Sequence, residues 1–103
     1  MRYLVLAWDG DDPDAPARRQ KARAAHIACA SRLQAEGHLL VGGALLDDDG
    51  NMIGTAAIAD FATRDELDQW IATDPYTTEG VWKTVSVTPY RVAEHYTHLY
   101  QPD

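Results

Sequence analysis

Two short motifs far apart in this chain carry residue types suited to proton transfer. Arg23-x-x-His26 lies inside a stretch rich in helix formers, and Asp74-Pro75-Tyr76 is followed, after three residues, by Gly80-Val81. An imidazole can take and give protons near neutral pH. A carboxylate that accepts a hydrogen bond from one ring nitrogen fixes the tautomer and leaves the other nitrogen for substrate. If the fold brings them together, His26 and Asp74 form such a dyad. Arg23, about one turn before His26, is placed to hold a substrate carboxylate, and Tyr76 to donate to a developing oxyanion. No nucleophile accompanies them: Ser31 lies about one turn further on and Cys29 has no activating neighbour, so proton abstraction fits better than covalent catalysis.

Each of these residues also has a plain structural reading. A histidine on an apolar helix face is commonly a satisfied core residue, and an aspartate before proline commonly caps a turn. Arg23 reads equally as a surface charge, and Tyr76 and Trp82 as core aromatics. Gly42-Gly43 either gives a ligand access to the backbone, with Gly43 as the contact, or permits close strand approach or a bulge. His95 and His98 lack a companion Cys or acidic cluster beyond Glu94, so no metal site is expected. Gly42-Gly43 precedes no helix and lacks a following Lys-Ser/Thr, so it is not a phosphate loop.

The elements that must position these groups follow from local chemistry. Residues 3–8 are β-formers and read as a strand buried on both faces. Gly10 to Pro13 breaks it, Asp14 is a candidate N-cap, and Pro16 fits the first helical turn. Residues 15–36 read as a helix, with Arg18, Arg19, Lys21 and Arg32 facing water. Its apolar stripe holds His26, Ala30 and Leu33, with Ala22 and Cys29 beside it. Gly37 is suited to end it in a left-handed conformation. Residues 39–46 and 52–61 form a hairpin around Asp47-Asp48-Asp49-Gly50-Asn51. Thr63 to Glu66 is a capping box, opening a helix that runs to about Ala72. Pro75 cannot continue that helix, and residues 82–90 alternate as a fourth strand.

The order is β-α-β-β-α-β, an α+β ferredoxin-like fold with a four-stranded antiparallel sheet. Both helices cover one sheet face. The other carries apolar residues and has to be buried, so a homodimer packing sheet to sheet is expected. Tyr96, Leu99 and Tyr100 in the tail, residues 91–103, would gain by covering apolar surface.

With 103 residues the chain is one domain, with its core in residues 2–90. A net charge of −7 argues against nucleic acid and anionic membranes as partners. Met1 to Trp8 reads as a strand rather than a signal peptide, and no segment reaches membrane-spanning length. The single cysteine permits no internal disulfide, consistent with a cytoplasmic protein.

Arg23-x-x-His26, Gly42-Gly43, Asp74-Pro75-Tyr76-x-x-x-Gly80-Val81 and Val87-x-Pro89-Tyr90, spread over residues 2–90, together resemble the YciI-like (YCII) family. The resemblance implies a dimeric α+β barrel of two ferredoxin-like protomers. The wider fold group includes muconolactone isomerases and small heme- or quinone-handling oxygenases. The histidine and aspartate proposed as the family's active-site pair map onto His26 and Asp74. The chain departs from the pattern in reading Gly42-Gly43-Ala44 where many members have Gly-Pro, and in a longer tail.

The expectation is a small cofactor-free enzyme, a lyase or isomerase acting on a carbonyl-bearing acid or lactone through His26 and Asp74. Arg23, Tyr76 and Gly43 would contact the substrate. The alternative is a non-catalytic dimeric module binding a small molecule or a protein through the same pocket. A third reading gives both residues only structural roles.

Overall fold

A computed structural model describes residues 1–99. Strand β1, Arg2–Asp9, leads into helix α1, Ala15–Ala35. Strands β2, Leu39–Leu46, and β3, Met52–Asp60, form the hairpin. Helix α2, Arg64–Thr73, passes into a four-residue helix α3, Pro75–Thr78, before strand β4, Trp82–Pro89. The sheet order is β2-β3-β1-β4, with every neighbouring pair antiparallel. This is the ferredoxin-like arrangement read from the sequence.

The period of two along a strand sorts side chains by face. On β1, Tyr3, Val5 and Ala7 are buried and lie opposite Ala59, Ala57 and Thr55 of β3. They join Ala22 and Leu33 of α1, Leu67 and Trp70 of α2, and Phe61, Tyr76, Val81 and Trp82 in one core. The opposite face is apolar but not covered. Leu4 and Leu6 are only half-buried and Trp8 is 41% exposed. This corrects the two-sided burial read for β1: its apolar run serves one covered face and one open one.

Three local expectations need adjusting. Asp14 does not cap α1 with its side chain; its own backbone is helical. The first amides of α1 find backbone acceptors instead, Ala15 N–H at Asp12 O and Arg18 N–H at Asp14 O. Arg19 does not face water but is 7% exposed. Over its described residues the tail packs only through Val92: Tyr96 and Leu99 lie in a short 3-10 segment, Glu94–Leu99, and are exposed. Tyr100 lies outside the described residues.

Other signals act as read. The Thr63 hydroxyl accepts from the Glu66 N–H at 3.2 Å, starting α2; this is the half of the capping box that forms among the described residues. Gly37 follows α1 with φ +84°, where a side chain would be strained. The His38 N–H then returns to Leu33 O, satisfying a carbonyl of the last turn. Among the described residues no helix is long and apolar enough to cross a membrane.

Candidate active site

The junction between α2 and α3 is built around Asp74. Its backbone is extended, φ −61° and ψ 137°, which the following proline favours, and this turns the chain out of one helix and into the next. The Asp74 carboxylate caps the new helix by accepting the Tyr76 N–H at 2.9 Å through Oδ1. Oδ2 accepts the Trp70 indole N–H at 3.1 Å. The side chain is wholly buried. Gly80, at φ +73°, then reverses the chain into β4.

Helix α1 crosses this junction and brings His26 to it. His26 Nδ1 lies 2.8 Å from Asp74 Oδ1, across 48 residues of sequence. Asp74 already receives two N–H groups, so the imidazole Nδ1–H is its third donor and the free lone pair falls on Nε2. The ring lies flat on Tyr76, with centroids 3.8 Å apart and 10° between planes, and meets Trp82 edge-on at 5.9 Å. A hydrogen bond in the ring plane and a ring against its face remove both freedoms of the imidazole. The structural and chemical readings of Asp74 are therefore compatible: one carboxylate caps α3 and orients His26.

Nε2 of His26 has no protein partner among the described residues, and His26 lines a cleft of about 540 Å³ between α1 and the β2-β3 hairpin. Arg23 and Tyr76 line the same cleft, as do Gly42 and Gly43. Arg23 is exposed and makes no ion pair among the described residues. Burial pushes the Tyr76 phenol above its ordinary value, while the nearby Arg19 and Arg23 cations pull the other way. A side chain at Gly43 would meet nothing within 4 Å, whereas one at Gly42 would touch Ala57. The pair is thus not a site of close strand packing. Register shifts in β2 lie on either side of it, between Leu39 and Val41 and between Leu45 and Leu46.

Of the residues matched in the sequence, His26, Asp74 and Tyr76 converge, Arg23 stands at the cleft beside them, and Gly43 is on its strand wall. A sequence model of the YCII-related domain matches residues 1–91. The chain belongs to the YCII family. Its relatives include Protein YciI of Escherichia coli, 33% identical over 97 residues that cover 88% of this YCII chain and 97% of that protein. Among solved structures it is similar to 5-chloro-2-hydroxyhydroquinone dehydrochlorinase (TftG) of Burkholderia phenoliruptrix, in complex with 2,5-dihydroxybenzoquinone. That structure superposes with TM-score 0.79 at 28% identity, covering 92% of this chain and 98% of the other. Rv0793 of Mycobacterium tuberculosis shares the fold alone, with TM-score 0.51, 22% identity and coverage of 91% and 98%.

The YCII site contains a group that sequence reasoning misplaced. Arg19 Nη1 contacts both oxygens of Asp9, at 3.0 and 2.9 Å, and Nη2 donates to Thr55 Oγ1 at 3.1 Å. Its guanidinium sits over the Tyr76 ring, 4.8 Å from the centroid. Thr55 Oγ1 also accepts the Trp82 indole N–H at 3.2 Å. The signal was present: Arg19 precedes His26 by seven residues and so occupies the same helix face, and Asp9 ends the strand beside it. Counting Arg19 among the solvent-facing charges of α1 ignored that spacing.

Proposed function

We propose that this protein is a cofactor-free lyase or isomerase that uses His26 Nε2 as its base on a small carbonyl-bearing organic molecule. The observation that carries the reading is the His26–Asp74 hydrogen bond at 2.8 Å, with the other ring nitrogen unpartnered beside a cleft. Asp74 holds the proton on Nδ1 and stabilises the imidazolium once Nε2 has taken a proton. Substrate O–H or activated C–H is the source of that proton. In an elimination the electron pair left behind forms a new double bond and the leaving group departs with its own pair. The net change is loss of one acid molecule, with no oxidant or reductant required. In an isomerisation the imidazolium returns the proton to another atom.

Likeness to the dehydrochlorinase supports elimination from a hydroxylated ring as the first chemistry to test. Arg23 is the candidate contact for a substrate carboxylate or ionised hydroxyl, Tyr76 supports the ring and supplies a neutral hydroxyl, and Gly43 contributes strand backbone to the cleft wall. A homodimer joined through the open sheet face is part of this reading, because Leu4, Leu6, Ile58 and Val41 would otherwise stay partly in water.

The test is a panel of chlorinated hydroquinones, unsaturated acids and lactones, followed by halide release and absorbance. Turnover that falls about 10²–10⁴-fold in His26→Gln, with the fold intact, is the expected result. If a substrate is found and His26→Gln turns it over unimpaired, the reading fails. Binding without turnover across the panel would favour the non-catalytic alternative.

A further inference from the structure

The cleft lining carries an imbalance that the chain as a whole reverses. Net charge is −7, yet among the described residues the cleft is lined by Arg19, Arg23 and His26 and by no aspartate or glutamate. The two carboxylates that belong to these groups, Asp9 and Asp74, are 4% and 0% exposed at their side chains and do not line the cleft. Seen from inside it, Arg19 and His26 are presented with their acids behind them.

Arg19 also has a hydrogen-bonding deficit. Nη1 is committed to Asp9 and Nη2 to Thr55, but the buried Nε–H has no acceptor. A buried unsatisfied donor on a cation is costly, so Arg19 is held where it is at the expense of stability. Arg19, Arg23 and His26 follow at i, i+4 and i+7, one stripe of α1 spanning about 10 Å of helix axis. That length suits a molecule of one ring or a short acid lying along the helix.

We infer that Arg19 and Arg23 form an oxyanion-binding subsite that selects small organic anions, a carboxylate or an ionised enol, and lays them along α1 toward His26. This deepens the proposed function and rests on it for the direction in which the ligand lies. Arg23 supplies an exposed cation that recruits the anion. Arg19 is held by Asp9, Thr55 and the Tyr76 ring, so its charge is fixed in the cleft wall. The acidic remainder of the surface repels the same anions, which keeps their binding local to the cleft.

The test is equilibrium binding, read by tryptophan fluorescence and calorimetry, of two anion probes and their uncharged isosteres. The probes are 4-hydroxybenzoate against its methyl ester, and 2,5-dihydroxybenzoquinone against its dimethyl ether. Each anion is expected to bind about tenfold or more tightly than its neutral partner, with affinity falling as salt rises. Arg23→Gln, an exposed position, should weaken the anions about five- to tenfold and leave the neutral probes unchanged. Arg19→Lys keeps the charge but loses the fork, and should weaken the anions even where its melting temperature is retained.

Preference for only one of the two anions assigns the subsite to a carboxylate or to an ionised enol. Equal binding of anion and neutral probe, or anion binding indifferent to Arg23→Gln, overturns the inference, and that comparison needs no folded Arg19 variant. Because the readout is binding, charge-selective binding without turnover would defeat the catalytic reading while the subsite stands. Turnover with charge-blind binding would do the reverse.

Discussion

The His26 imidazole lies flat against the Tyr76 ring, 3.8 Å between centroids, while its edge is pinned to Asp74. Tyr76 is thus a positioning group as much as a core residue, and its hydroxyl has no protein partner among the described residues. Tyr76→Phe is expected to change stability by less than about 1 kcal/mol, because no protein hydrogen bond is lost. Tyr76→Ala should cost about 3–5 kcal/mol through the cavity it leaves. Urea denaturation of both variants checks the pair.

Asp74→Asn places an amide where three N–H donors converge. One of the three then meets an N–H₂ group instead of an acceptor. A loss of about 1–3 kcal/mol is expected in urea titrations. Turnover should fall more than stability does, since a neutral amide stabilises the imidazolium less than a carboxylate does.

Arg19 and Asp9 are an ion pair with both side chains under a tenth exposed. Removing one partner strands the other charge. Asp9→Ala should therefore cost about 3–5 kcal/mol, and the double change Asp9→Leu with Arg19→Met should recover much of it. A double-mutant cycle by chemical denaturation measures the coupling. Additive losses would show that the two residues act separately.

At the entrance to α1, the Arg18 guanidinium hydrogen-bonds Asp12 and holds its carboxyl down to about 2 from 3.8. The folded value is the lower one, so this pair's stabilisation is present above the unfolded value. It is lost as pH falls through about 2. The pair is on the surface, so the effect on global stability is small. Carbon-detected NMR titration should find Asp12 protonating late, and Arg18→Gln should move it back toward 3.8.

The open sheet face gives a prediction about assembly. Leu6 sits at its centre, between Ala56 of β3 and Ser86 of β4. Leu6→Lys adds a charge there without touching the helix side. Light scattering should find a dimer for the natural chain and a monomer for this variant. A natural chain that is monomeric at high micromolar concentration would remove the proposed interface.

The element order was legible because each boundary has its own chemistry: Thr63 with Glu66, Pro75 after Asp74, Gly37 after a run of helix formers. The pairing of His26 with Asp74 was legible only through two motifs taken together, since nothing in either segment alone says that α1 crosses the α2–α3 junction. Arg19 was misread because helix propensity is silent about which way a side chain points. Its seven-residue spacing from His26 carried the information. The apolar run of β1 suggested burial on two faces because composition cannot say whether the second face meets helices or another chain. Tyr96 and Leu99 failed as a packing prediction for the same reason: composition says that an apolar side chain gains by burial but not whether a surface lies within its reach.

In the proposed mechanism Asp74 keeps the proton on His26 Nδ1 and leaves Nε2 as the base facing the cleft. Long-range ¹H–¹⁵N correlation of the imidazole rings in the folded protein reads this directly. The expected result is that the neutral form of His26 is the Nδ1–H tautomer, and that Asp74→Ala, which removes the acceptor, disturbs it. A neutral His26 protonated at Nε2 would contradict it.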